Sequence, residues 1–152
     1  MQFNIRRCGR EQWKIFRRYH YLNNDLASAA QCFGLYNDKN NIVGFCAVLH
    51  QPHGYNSKIK RCSRLVILPD YQGIGLGTKF LNCIAQLYHT KGFDFSITTS
   101  AKNMIASLQK QNKWTFTRYS VNNCCSNKSA IDYKRKSMRT NCKTATFFYK
   151  GA

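Results

Sequence analysis

The residues best suited to chemistry in this chain are the three glycines of Gln72-Gly73-Ile74-Gly75-Leu76-Gly77-Thr78. They follow Arg64-Leu65-Val66-Ile67-Leu68, an apolar, β-branched run of the length of a buried strand, which Pro69-Asp70 ends. After them Phe80, Leu81, Ile84, Leu87 and Tyr88 recur at helical spacing, which predicts a helix over 78–91 with one face on a sheet, stopped by Gly92. Glycines at a strand-to-helix turn let the backbone approach a ligand, and the first N–H groups of the helix point outward without intrahelical partners. Such a terminus binds phosphate. The spacing argues against two common devices. A P-loop needs Lys-Ser/Thr after its last glycine, an order that Gly77-Thr78-Lys79 reverses, and a dinucleotide fold needs Gly-x-Gly-x-x-Gly.

The loop and its flanks resemble the Gln/Arg-x-x-Gly-x-Gly/Ala signature of the GNAT acyltransferase superfamily, in which an apolar strand precedes the loop and an amphipathic helix follows it. The resemblance implies that Gln72, Gly73, Ile74, Gly75, Leu76, Gly77 and Thr78 hold the pyrophosphate of acetyl-CoA or another acyl-CoA. It also implies that backbone groups of Leu65, Val66 and Ile67 pair with the pantetheine arm. Asn103 and Ala106 match the family pattern Asn-x-x-Ala-x-x-x-Tyr, which brings Asn103 to the coenzyme, but Gln109-Lys110-Gln111 stands where the tyrosine acid belongs.

The elements that must position this loop are readable in order. Residues 2–8 alternate as a strand, 10–22 carry helical spacing, and 25–30 read as a short second helix capped by Asn24 or Asp25. Strands at 31–37 and 42–51 are joined by the turn Asp38-Lys39-Asn40-Asn41. A strand over 59–68 leads into the glycine loop; a strand over 93–99, a helix over 101–112 and strands over 114–119 and 144–149 follow. This order resembles the GNAT fold across nearly the whole chain. The implied class is α/β (α+β): a mixed central sheet of about seven strands, helices on both faces, and a splayed parallel pair, residues 60–68 and 93–99, holding coenzyme A. Residues 1–152 read as one acyltransferase domain with a basic loop at 120–142, poor in apolar residues, which is mobile or orders on binding.

Charge suggests the acceptor. Twenty-four Lys and Arg against six Asp and Glu give a net charge of +18, beyond what solubility requires, and favour an anionic partner. Basic residues gather at Arg6, Arg7, Arg10, Lys14, Arg17 and Arg18 and again at Lys128, Lys134, Arg135, Lys136, Arg139 and Lys143, interleaved with Tyr19, Tyr21, Tyr119 and Tyr133. Phosphate contacts combined with aromatic stacking suit nucleic acid, with Arg17, Arg18, Tyr21, Lys134, Arg135 and Lys136 as expected contacts. Tyr19-His20-Tyr21-Leu22 and the basic surface also resemble a phage and mobile-element branch that includes the Mom-type DNA-modification proteins, which alter adenine in DNA. The resemblance thus implies an N-acyltransferase acting on a nucleic acid or a nucleic-acid-associated amine. The alternatives are acetylation of a protein lysine or small amine, and a non-catalytic nucleic-acid-binding protein on the same scaffold.

Amine acylation needs a base, an oxyanion donor and a weak acid. In the implied fold His20 lies where the first helix enters the acceptor loop and titrates near neutrality. The hydroxyls of Tyr119 and Ser100 stand in for the missing tyrosine. The few acids are Glu11, Asp25, Asp38, Asp70, Asp94 and Asp132. Cys32, Cys46 and Cys83 fall within apolar patterns and read as small buried residues. No metal site is expected: Cys124-Cys125 lacks ligand spacing, although Cys124 and Cys142 with a histidine remain an alternative. No run approaches a membrane span, and the opening Met1-Gln2-Phe3-Asn4-Ile5 is strand-like rather than a signal peptide, so a cytoplasmic location is expected.

Overall fold

The computed structural model describes residues 2–20, 25–121 and 143–151. Its strands are β1 (Phe3–Arg7), β2 (Gln31–Asn37), β3 (Ile42–His50), β4 (Ile59–Ile67), β5 (Asp94–Thr99), β6 (Trp114–Val121) and β7 (Lys143–Tyr149), with helices α1 (Trp13–Phe16), α2 (Leu76–Thr90) and α3 (Lys102–Gln109). The strands form one mixed sheet in the order β1-β2-β3-β4-β5-β7-β6. Only β4 and β5 pair in parallel; every other neighbouring pair is antiparallel. The α+β sheet of seven strands with helices on both faces is the architecture expected from the sequence.

The hydrophobic pattern of α2 explains its seat. Phe80, Leu81, Ile84, Ala85 and Tyr88 lie along one face and pack on the sheet with Leu108 of α3. Burying a side chain of that size contributes roughly 1.5–3 kcal/mol. The Tyr88 hydroxyl, the polar end of that face, donates to Gln31 of β2. A second, smaller core holds Trp13 and Phe16 of α1 against Phe45, Ala47 and Val66.

Two helical expectations fail. Of the stretch over 10–22, the described residues 10–20 hold one turn of α-helix between 3-10 turns at Arg10–Gln12 and Arg17–Tyr19, and residues 21 and 22 lie outside the described residues. Trp13 and Phe16 are buried but Ile15 and Tyr19 are exposed, so there is too little apolar surface to hold a longer helix on the sheet. Residues 25–30 form no helix: one turn closes from Ala30 N–H to the Ala27 carbonyl, and Leu26 is their buried anchor. Cys83 is also exposed, on the outer side of α2, whereas Cys32 and Cys46 are buried as expected.

One irregularity positions the site. β4 and β5 pair from Ile59↔Asp94 to Cys62↔Ile97 and then separate, although the strands continue to Ile67 and Thr99. At that point the register between β3 and β4 shifts, with Ala47 opposite Arg64 and Val48 opposite Cys62, so Ser63 is an extra residue. Its Oγ donates to the Ala47 carbonyl at 3.2 Å. A bulge bends its strand and increases the local twist. It turns β4 to follow β3 while β5 follows β7 through Thr99↔Ala145, and a cleft opens between them.

Candidate active site

The glycine loop forms one end of the cleft. Gly73 and Gly75 have φ of 83° and 74°, a left-handed conformation that costs other residues roughly 1–2 kcal/mol. A Cβ on either would meet nothing within 4 Å, so both face open space. Gly77 differs: a Cβ there would make ordinary contact with Ile67 and Met104. Gly75 is the N-cap of α2, and Lys79 N–H bonds back to its carbonyl at 3.1 Å. The preceding N–H groups of that turn therefore have no acceptor within the helix. The side chain of Gln72 folds back, its Nε2 donating to the Ile67 carbonyl at 2.7 Å. The hydroxyls of Thr78 and Ser107 lie 3.0 Å apart and tie the start of α2 to α3.

These parts enclose a recess of about 480 Å³. Leu65 and Ile67 form an apolar wall; Gln72, Gly73, Gly75, Leu76, Gly77 and Thr78 form the loop end; Asn103, Met104 and Ser107 of α3 close the other side. Of the residues expected at the coenzyme, Leu65, Ile67, Gln72, Gly73, Gly75, Leu76, Gly77, Thr78 and Asn103 line this recess. Two other predicted residues contribute differently. Ile74 is 62% exposed at the loop tip, and the Val66 side chain is buried against α1 on the opposite face, leaving only its backbone for the cleft. The chemistry of the recess suits coenzyme A: outward N–H groups at a 15-residue helix for the pyrophosphate, with open space over Gly73 and Gly75, and an apolar strand for the pantetheine arm.

A second recess of about 220 Å³ adjoins the first, sharing Leu65, Ala101 and Met104. Tyr19 and His20 line it from the end of the first helical stretch, Cys62, Ser63 and Arg64 from the β4 bulge, and Thr98 and Thr99 from β5. His20 N–H bonds to the Arg17 carbonyl at 3.3 Å, and its ring stands edge-on to Trp13 with centroids 5.6 Å apart. The Arg64 guanidinium lies over the same indole at 5.9 Å and donates from Nη1 to the Ser63 carbonyl at 2.8 Å. Ser100 sits between Thr99 and Ala101, which both line the recess. Of the acidic residues, Glu11, Asp25, Asp38, Asp70 and Asp94 are described and none of them lines either recess; Asp132 is outside the described residues.

Tyr119 is not brought to this cleft. The register of β6 shifts between Phe116 and Arg118, making Thr117 an extra residue and placing Phe116 and Tyr119 on one face with rings 4.6 Å apart. That face meets α3, where Gln109 Nε2 donates to the Tyr119 hydroxyl at 3.1 Å. The expectation that Tyr119 donates a proton in the cleft is therefore corrected. Arg17 pairs with Asp25 at 3.4 Å and Arg18 lies over Tyr19 at 4.7 Å, both close to the recess mouth through Tyr19 and His20. Tyr21, Lys134, Arg135, Lys136, Cys124, Cys125 and Cys142 lie outside the described residues. Sequence reasoning missed Ser63 and Arg64. Their signal was the polar run Lys60-Arg61-Cys62-Ser63-Arg64 between Ile59 and the apolar Leu65-Val66-Ile67 of the same strand.

Cys46 and Cys62 have sulfurs 3.8 Å apart, and the contact with Cys62 together with burial pushes the Cys46 thiol well above its ordinary range. Among the described residues no cluster of three or more His, Cys, Asp or Glu side chains forms a metal site. Among them, too, no helix is long and apolar enough to cross a membrane.

The family model described as an acetyltransferase (GNAT) domain matches residues 28–114, more than half of the chain, and the chain belongs to that family. No curated protein sequence matches it. Among solved structures, it is similar to a Bacillus subtilis acetyltransferase in complex with CoA, with a TM-score of 0.70, 8% identity, and 97% of this chain and 98% of that one covered. It is also similar to a GNAT family acetyltransferase from Elizabethkingia anophelis with acetyl-CoA bound (TM-score 0.67, 12% identity, 97% of each chain). A third is the ribosomal-protein-S18-alanine N-acetyltransferase from Escherichia coli (TM-score 0.63, 13% identity, 97% and 93%). At such identities the likeness is one of fold. The protein is therefore an acetyltransferase of the GNAT type.

Proposed function

We propose that the enzyme transfers an acyl group from acyl-CoA to an amine carried by a nucleic acid, or bound to one, in the cytoplasm. The observation that carries this reading is the acceptor recess, which has Arg64 in its wall and no described carboxylate, in a chain of net charge +18. A cationic polyamine or lysine would approach against that field; a polyanion is drawn by it. The weaker resemblance to Mom-type DNA-modification proteins points the same way.

The bound coenzyme supplies an activated thioester carbonyl. The chain's part is to hold and move protons around it. An imidazole nitrogen of His20 receives the proton of the acceptor amine, and the hydroxyl of Ser100, which stands in sequence between the lining residues Thr99 and Ala101, gives one to the leaving sulfur. The apolar strand residues Leu65 and Ile67 exclude water from the reacting end.

The test is binding of duplex and single-stranded oligonucleotides across a salt series. Each neutralised phosphate contributes about −0.9 to the slope of log K against log salt on B-DNA. Replacing Lys134, Arg135 and Lys136 by Ala should lower the slope by up to about 2.7 for all sequences alike. Affinity at low salt no better than that of a neutral control protein would remove nucleic acid as the acceptor.

A further inference from the structure

The half of the sheet beside the acceptor recess carries a surface that the proton chemistry does not use. Phe95, Ile97, Ala145 and Phe147 turn toward α2 and α3 and are buried in the main core. Alternate residues of the same strands therefore face the other way. On that second face α1 packs over Phe45, Ala47 and Val66 of β3 and β4, and among the described residues no helix lies over β5, β7 and β6.

Register arranges this face in rows. Thr98 of β5 stands opposite Thr146 of β7, and Thr146 stands opposite Arg118 of β6. The Thr98 and Thr146 hydroxyls meet at 2.9 Å, so the two side chains share the face. The bulge brings Arg118 to it: without the extra residue, Thr117 would oppose Thr146 and Arg118 would turn toward the core side. The flanking rows pair Ser120 with Thr144 and Thr115 with the partly buried Phe148.

Two features define what this face takes. The row begins in the acceptor recess, which Thr98 lines, and reaches Arg118 two strand spacings away, roughly 9–10 Å. Arg118 is exposed and has no hydrogen bond, ion pair or ring contact among the described residues. The second feature is charge: residues 101–121 and 143–152 contain no Asp or Glu. Hydroxyls and a planar guanidinium are donors to phosphate oxygens, and the Phe148 ring offers a surface for a base. An amine in the recess must also stand clear of base stacking, which a single strand allows without flipping.

We infer that the exposed face of β5, β7 and β6 is the track for a single-stranded nucleic acid, which runs along Thr98, Thr146 and Arg118 with a phosphate on Arg118 and the reacting nucleotide in the recess. This deepens the nucleic-acid reading and rests on it. Arg118 binds and takes no part in proton transfer, since it lines neither recess.

The test is fluorescence anisotropy of a labelled oligothymidylate with the full chain across a salt series; thymine has no exocyclic amine, so binding is read without transfer. Arg118→Gln should weaken binding about tenfold at low salt, the effect of one charge-assisted hydrogen bond, and reduce the steepness of the salt dependence by about 0.7. Lys91→Gln removes the same charge at the C-cap of α2, on the opposite side of the sheet, and should change affinity less than about twofold. Arg118→Lys should keep the salt dependence and lose part of the affinity, because a point charge replaces the fork. An unchanged thermal shift with acetyl-CoA shows that each variant is folded. Equal losses in Arg118→Gln and Lys91→Gln would overturn the track, since bulk charge would then explain binding. So would a duplex that depends on Arg118 as strongly as the single strand, or a dimer of the chain that Arg118→Gln dissociates. If the unaltered protein binds the oligonucleotide no better than a neutral control protein, the nucleic-acid reading itself fails and the track with it.

Discussion

Two substitutions with the same backbone cost separate ligand binding from strain. Gly75 and Gly92 have φ of 74° and 77°, and a Cβ on either would meet nothing within 4 Å. They flank α2 at opposite ends, Gly75 as its N-cap on the coenzyme recess and Gly92 just beyond Lys91. Alanine at either position should cost roughly 1–2 kcal/mol, the left-handed penalty for a residue with a Cβ. For a domain of this size 1 kcal/mol corresponds to about 2–4 °C, so both ligand-free variants should melt about 2–8 °C lower than the parent. Acetyl-CoA at about 100 times its Kd adds about 2.7 kcal/mol, hence a rise of about 5–11 °C. Gly92→Ala should keep that rise in full. In Gly75→Ala the methyl group projects into the space that the pyrophosphate would fill, so most of the rise should disappear; Gly75→Val, with two more carbons, should abolish it. Melting curves with and without acetyl-CoA measure all four quantities. Equal stabilisation of Gly75→Val and the parent would refute the placement of the coenzyme.

Three other outcomes follow from the same geometry. His20→Ala should lower turnover by about 10²–10⁴-fold while the acetyl-CoA thermal shift is unchanged, since His20 lines the acceptor recess and not the coenzyme recess; a lost shift would mean a structural role. Tyr119→Phe should leave turnover within about twofold, because its hydroxyl serves Gln109 outside the cleft, and a larger drop would return Tyr119 to the chemistry. Stability should be full below pH 9 and fall as the pH rises toward 12. Burial first, then Cys32 and Glu11, lift the Cys8 thiol from 9.0 to about 12, and burial lifts the Tyr88 hydroxyl from 10.0 to about 12. The unfolded chain therefore releases these protons first and gains on the folded one. Melting temperatures under reducing conditions should show the decline, reduced in Cys8→Ser; a flat profile would contradict it.

The coenzyme end of the site was legible because its determinants are local. Glycines at left-handed φ, the apolar strand before them and the α2 stripe after them all lie within one contiguous stretch. The acceptor end depends on register, which single-chain periodicity does not contain. The extra residue Ser63 exists only relative to β3, and it both opens the cleft and turns Arg64 into its wall. The extra residue Thr117 exists only relative to β7, and it carries Tyr119 to the α3 face. The short helical reading over 25–30 failed for a different reason. Four small residues in six offered propensity, but with Leu26 as the buried anchor there was no apolar face to stabilise a nucleus.

The most direct test of the account is transfer of label from radioactive acetyl-CoA by the full chain, supplied together with single-stranded and duplex oligonucleotides, a basic peptide and spermidine in one mixture. Label is expected in the nucleic-acid fraction, declining steeply as salt is raised and absent in His20→Ala. Label confined to the peptide or to spermidine, and insensitive to salt, would contradict it.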